Sequence, residues 1–229
     1  MQQKRPVAVF DMDGTLFRSS LLLELMEELV RREMLPESTR TTYAPLLKED
    51  LHASDHSRLM KEAVHSFASY AKGLPYGDVA DVAGEVIERE KGNVYRYTSD
   101  LAMELKGKGY FLLAISHSPK FIVDGFAYEL GFDKSYGIFY ETGAASRFTG
   151  EIEDEHVIMN KASVLARAVE KEGLSLNGSI GVGGWESDIS MLDMVETPIA
   201  FNPDSRLYRH AKERLWKTVV ERKDVIHES

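Results

Sequence analysis

Val7-Ala8-Val9-Phe10-Asp11-Met12-Asp13-Gly14-Thr15-Leu16 passes from an uninterrupted apolar run to two carboxylates flanking a single methionine. A short apolar run bounded by polar residues predicts a buried strand whose C-terminal end carries polar chemistry. The same pattern recurs downstream. Residues 110–115 form an apolar run ending at Ser116, residues 179–182 a third, and residues 198–201 a fourth. Helical segments are predicted between them at 100–108, from Pro119 to about 130, at 161–172 and at 187–195. Thr98 or Ser99 is read as the cap of the first of these. Asp204 is placed to cap a final helix, followed by a strand at 218–220, and residues 135–142 and 147–152 read as a hairpin. Strands alternating with helices predict an α/β protein, a three-layer doubly wound parallel sheet. In such sheets the ligand crevice lies outside the carboxyl ends of the strands. Asp11, Asp13, Ser116 and the loop from Gly183 to Asp188 converge there.

One block breaks the alternation. Leu21, Leu22, Leu25, Met26, Leu29 and Val30 form a single helical stripe, with Ser19 or Ser20 as its expected cap. Pro36 and Pro45 punctuate the chain beyond it, and residues 52–72 and 76–91 have helical composition. Residues 18–92 are therefore predicted as an all-helical cap over the crevice, inserted into a core made of residues 1–17 and 93–229.

Composition narrows the chemistry. The chain has 229 residues, 28 Lys+Arg against 37 Asp+Glu for a net charge of −9, and no cysteine. The absence of Cys removes disulfides, thiolate metal sites and a Cys nucleophile. The acid excess argues against a nucleic-acid partner bound through its phosphates. No apolar stretch is long enough for a membrane span, and the four apolar residues after Pro6 are too few for a secretory signal, so a cytoplasmic location is expected.

Two carboxylates on one turn supply a nucleophile and an acid/base. A carboxylate attacking phosphorus forms an aspartyl-phosphate, and a cation is needed between the anionic substrate and Asp11. Mg²⁺ suits an oxygen-only site.

These residues, in this order, resemble the haloacid dehalogenase superfamily, in its phosphoserine-phosphatase-like branch. Its first motif, Asp-x-Asp-x-Thr, falls on Asp11, Asp13 and Thr15. The second, a strand-end Ser or Thr, is Ser116. The third, a Lys opening a helix, is Lys161. The fourth is the acidic loop ending in Asp188. The resemblance covers nearly the whole chain and implies a Rossmann-like core with a helical cap. It also implies a Mg²⁺-dependent hydrolase of small phosphomonoesters. Asp11 would be the nucleophile and Asp13 the acid/base. Thr15, Ser116 and Lys161 would bind the phosphate. Asp11, Asp13 (through its backbone carbonyl) and Asp188 would hold the metal. The partner is a small phosphorylated metabolite. His117 lies within reach of this site, but a loop histidine bonded locally is the simpler reading, and His156 is read as a surface residue.

Two departures stand out. The fourth motif ordinarily reads Gly-Asp-(Ser/Thr)-x-x-Asp, whereas here it is Gly183-Gly184-Trp185-Glu186-Ser187-Asp188. The directly metal-ligating Asp is thus replaced by Gly184, with Glu186, Asp188 or a water to fill the gap. The position nine residues after the nucleophile, ordinarily Glu in phosphoserine phosphatases, is Ser20. Ser116 is followed by His117-Ser118-Pro119 rather than Gly-Gly. Phosphoserine is therefore disfavoured as the substrate. The competing reading is a catalytically impaired relative that binds a phosphorylated metabolite or a protein. A dinucleotide-binding loop at Gly181-Val182-Gly183-Gly184 is excluded by Glu186, which stands where that fingerprint needs Gly.

Overall fold

The computed structural model describes residues 4–44, 53–153, 159–222 and 225–228. Pro45, His52 and His156 lie outside them. The apolar runs form the strands expected of them. They are β1 (Pro6–Asp11), β2 (Phe111–Pro119), β3 (Lys134–Thr142), β4 (Phe148–Glu153), β5 (Ser175–Gly183), β6 (Thr197–Phe201), β7 (Lys217–Arg222) and β8 (Val225–Glu228). They make one sheet in the order β4-β3-β2-β1-β5-β6-β7-β8. The six central strands run parallel, and each edge is closed by an antiparallel strand, β4 on β3 and β8 on β7. The second antiparallel edge has no sequence signal, because four residues are too few to show a period.

Val7, Ala8, Val9 and Phe10 are fully buried. Strands covered on both faces lose the usual alternation of apolar and polar residues, which is why these read as continuous runs. The covering helices are α1 (Leu21–Arg31), α2 (Arg40–Tyr43), α3 (Ala53–Ala71), α4 (Tyr76–Glu90), α5 (Arg96–Gly107), α6 (Lys120–Glu129), α7 (Lys161–Lys171), α8 (Ile189–Leu192) and α9 (Ser205–Glu213). Among the described residues, 18–92 contain helices and no strand. This block leaves and rejoins the core side by side, with Arg18 N donating to Asn93 O at 3.1 Å and Tyr95 N to Leu16 O at 2.9 Å. Its apolar stripe belongs to the same continuous cluster as the core strands. None of the described helices is long and apolar enough to cross a membrane.

Two expected helix caps are corrected. Ser20 precedes α1 but makes no capping bond. Instead Leu21 N donates to Asp13 Oδ1 at 2.7 Å and Leu22 N to Ser118 Oγ at 2.9 Å. Side chains from the turn after β1 and from β2 thus satisfy two orphan donors of the first turn. Thr98 lies inside α5 rather than before it, and its hydroxyl donates to Thr15 O at 2.9 Å, tying α5 to the loop after β1. Asp204 caps α9 as expected, accepting from Arg206 N and Leu207 N.

Candidate active site

The sheet order reverses at β1. From it the chain first builds β2 on one side and later β5 on the other, so the carboxyl ends of β1, β2 and β5 lie together. Ligand crevices form at such a switch point. Asp11 ends β1, and the chain turns immediately. Leu16 N and Phe17 N both donate to Met12 O, and Gly14 N donates to Phe17 O at 2.9 Å. Gly14 takes a φ of +76°, which a side chain would strain.

Asp11, only 2% exposed, accepts from Lys161 Nζ at 2.6 Å and from Thr15 Oγ1 at 2.7 Å. Lys161 is the first residue of α7, whose N-cap Asn160 accepts from Ser163 N. The lysine is buried and also donates to Asp188 Oδ1 at 2.5 Å. Asp188 in turn takes the backbone N–H groups of Gly184 at 2.8 Å and Trp185 at 2.9 Å on Oδ2. One buried ammonium therefore bridges two buried carboxylates, the condition under which such charges are tolerated.

Asp13 is part-exposed to the cleft and held from several directions. Ser116 donates to it, Ser118 Oγ lies 3.0 Å from both carboxylate oxygens, and Leu21 N completes the set. Burial together with the neighbouring charge of Asp188 pushes the Asp11 carboxyl up to about 7 against the opposing pull of Lys161. Burial also raises Asp13, outweighing the bonds from Ser116, Leu21 and Ser118. Burial disfavours the charge on Lys161, but Asp11 and Asp188 outweigh it and hold the ammonium above its ordinary range.

Asp11, Asp13, Lys161 and Trp185 line a cavity of about 80 Å³. That is room for a compact ligand, below the ~300–1,000 Å³ of ligand pockets generally. Met60, Lys61 and Val64 of α3 close it from the cap, and His117 lines it from β2. His117 is thus at the site, and it lies on a strand rather than a loop.

All six residues singled out from the sequence come together. Thr15 is fully buried and donates to the Asp11 carboxylate. Ser116, implied as a phosphate donor, gives its proton to Asp13. Ser118 is a site residue that the motifs do not mark. It points to the same carboxylate from the same strand two residues on, and the period of a strand is the signal that could find it.

The implied metal set does not fit these residues. Among the described residues no group of three or more His, Asp or Glu is placed to hold a metal ion. Both Asp11 oxygens and both Asp188 oxygens accept hydrogen bonds. Glu186 pairs with Arg206 at 2.6 and 2.7 Å. The Asp13 carbonyl, expected to remain available to Mg²⁺, accepts the indole N–H of Trp185 at 2.9 Å.

A carboxylate with a lysine counter-ion thus stands at the switch point of a doubly wound α/β sheet. A sequence-family model described as haloacid dehalogenase-like hydrolase matches residues 8–193, and the chain belongs to that family. Phosphatases of this family generally use a divalent metal, usually Mg²⁺. The chain is 26% identical over 205 residues to a phosphoserine phosphatase of Archaeoglobus fulgidus, across 87% of this chain and 53% of that protein. It therefore spans about half the length of that relative. It is 24% identical to the phosphoserine phosphatase of Methanocaldococcus jannaschii, across 88% of this chain and 87% of the relative. Among solved structures, a phospho-aspartyl intermediate analogue of phosphoserine phosphatase shares the fold, with a TM-score of 0.65 at 22% identity, covering 97% of this chain and 96% of the other.

Proposed function

We propose that the protein hydrolyses a small phosphomonoester through an aspartyl-phosphate on Asp11. The observation that carries this reading is the pairing of Asp11 with Lys161 at 2.6 Å beside Asp13, in a cavity closed by the cap. An Asp11 oxygen attacks phosphorus and the ester P–O bond breaks. Asp13, whose pKa is raised by burial, gives its proton to the leaving alcohol. Water then attacks the aspartyl-phosphate, Asp13 takes the water's proton, and inorganic phosphate leaves as the Asp11 carboxylate is restored. Lys161 lowers the cost of bringing a phosphate against Asp11. Ser116, Ser118 and Leu21 N orient Asp13 for both proton transfers.

The resemblance implies Mg²⁺ as a further source of positive charge at the phosphate when it is bound, but the residues present do not fit it, and no step here is routed through it. The relatives' substrate, phosphoserine, is not carried over. Among the described residues the cap gives the cavity Met60, Lys61 and Val64. Ser20, where an acid is ordinarily found, is buried. A phosphorylated metabolite with an apolar or anionic remainder suits this lining. Hydrolysis of a generic aryl phosphate by the wild type and by Asp11→Asn tests the reading. Loss of the rate in the variant supports it, and equal rates overturn it.

A further inference from the structure

We infer that Trp185 stands in the position of the cation, so that this site handles its anionic substrate without a bound divalent metal. The inference concerns the same site as the proposed hydrolase and takes the carboxylate roles from that reading.

Three neighbouring features are mutually consistent. The Asp13 carbonyl accepts Trp185 Nε1–H at 2.9 Å. A hydrogen-bond donor aimed at an oxygen has the wrong polarity to share that oxygen with Mg²⁺, which needs near-octahedral oxygen ligands at about 2.0–2.1 Å. The ring also fills the space over the loop, since a Cβ built on Gly14 would stand 2.8 Å from Trp185 Cζ2. Position 184, where the ligating carboxylate would begin, is closed as well. A Cβ there would lie 2.9 Å from the backbone oxygen of Phe201 and 3.1 Å from Thr15 Oγ1. The backbone around Gly184 has settled into the volume that an aspartate would need, so Gly184→Asp alone does not rebuild a metal site.

Trp185 is then a positioning residue. Its N–H fixes the turn after β1, a task a cation performs where carboxylate and carbonyl share one. The positive charge facing the phosphate comes from buried Lys161.

The test is metal binding, read apart from activity. Mn²⁺ is titrated into the wild type while the free-ion paramagnetic resonance signal is followed. Tryptophan emission is followed in Trp216→Phe, which leaves Trp185 as the one remaining tryptophan of the two. The expected result is a free-ion signal at full amplitude and no change in emission. Stoichiometric loss of the free signal overturns the inference, whether or not the emission moves. Gly184→Asp, checked for folding by circular dichroism, is expected to remain without Mn²⁺ binding, and its combination with Trp185→Ser, which also frees the Asp13 carbonyl, is expected to gain it. Mn²⁺ binding by Gly184→Asp alone overturns the role given to Trp185. The wild-type titration decides the matter if either variant does not fold. Failure of the hydrolase reading would appear separately, as an aryl-phosphate rate unaffected by Asp11→Asn.

Discussion

The indole N–H of Trp185 and the backbone carbonyl of Asp13, 172 residues apart in sequence, meet at 2.9 Å. The sheet order causes the meeting. β1 and β5 are neighbours, with Phe10 beside Val182, so the loops beyond their carboxyl ends emerge side by side. Replacing Trp185 with Phe removes the donor together with the part of the indole nearest Gly14. The part-buried carbonyl then loses its partner, a loss of about 1–3 kcal/mol for a buried acceptor. A urea midpoint lowered accordingly is expected for Trp185→Phe, and an unchanged midpoint would count against the bond as an anchor.

In the proposed mechanism Asp11 must be ionised to attack, and its carboxyl is pushed up to about 7. Activity, measured as kcat/KM, is expected to rise with pH as Asp11 ionises and to fall again at higher pH as Asp13 loses the proton it gives to the leaving alcohol. The stability effect has the opposite sign. A folded-state pKa raised from 3.8 to about 7 means that the folded protein holds this proton more tightly than the unfolded chain does. Stability drawn from it is present below 3.8 and is lost as pH rises through about 7. Asp11→Asn removes this loss, so the gap between variant and wild type should widen in the variant's favour across that window. Denaturation midpoints at several pH values check it.

Lys161 is the counter-ion of two buried carboxylates. Lys161→Met leaves Asp11 and Asp188 facing each other without it. Breaking a buried pair in this way costs about 3–5 kcal/mol. Adding Asp188→Asn should recover part of that stability, because it removes one of the stranded charges. A double-mutant cycle in urea measures the recovery, and strict additivity would contradict the bridge.

Ser118 holds Asp13 and also caps α1. Ser118→Ala should cost about 1 kcal/mol, as for a lost helix cap. It should also lower kcat more than it raises KM if, as proposed, Asp13 acts on the leaving group and not on the bound ground state. An effect confined to KM would place Ser118 on the substrate instead.

The parallel sheet and the convergence of Asp11, Asp13, Ser116 and Asp188 are legible in the sequence, while Lys161, which opens a helix, enters only through the family resemblance. Buried parallel strands write themselves as apolar runs, and a switch point gathers the residues at their carboxyl ends. Trp185 is visible as a departure, but a sequence does not say which way a side chain turns. The bond to Asp13 depends on the register of β1 and β5. The cap of α1 is hidden for a similar reason. Ser20 is the local candidate, and the true acceptors, Asp13 and Ser118, come from the turn after β1 and from β2. The cap's contribution to the cavity, Met60, Lys61 and Val64, reads as one ordinary helix face until the chain is folded over the crevice.

The most direct measurement is the rate of aryl-phosphate hydrolysis in excess chelator, for the wild type and for Asp11→Asn. The expected result is a wild-type rate that chelator leaves unchanged and that Asp11→Asn abolishes. A wild-type rate that disappears with chelator and returns with added Mg²⁺ would contradict a site in which Trp185 has taken the cation's place.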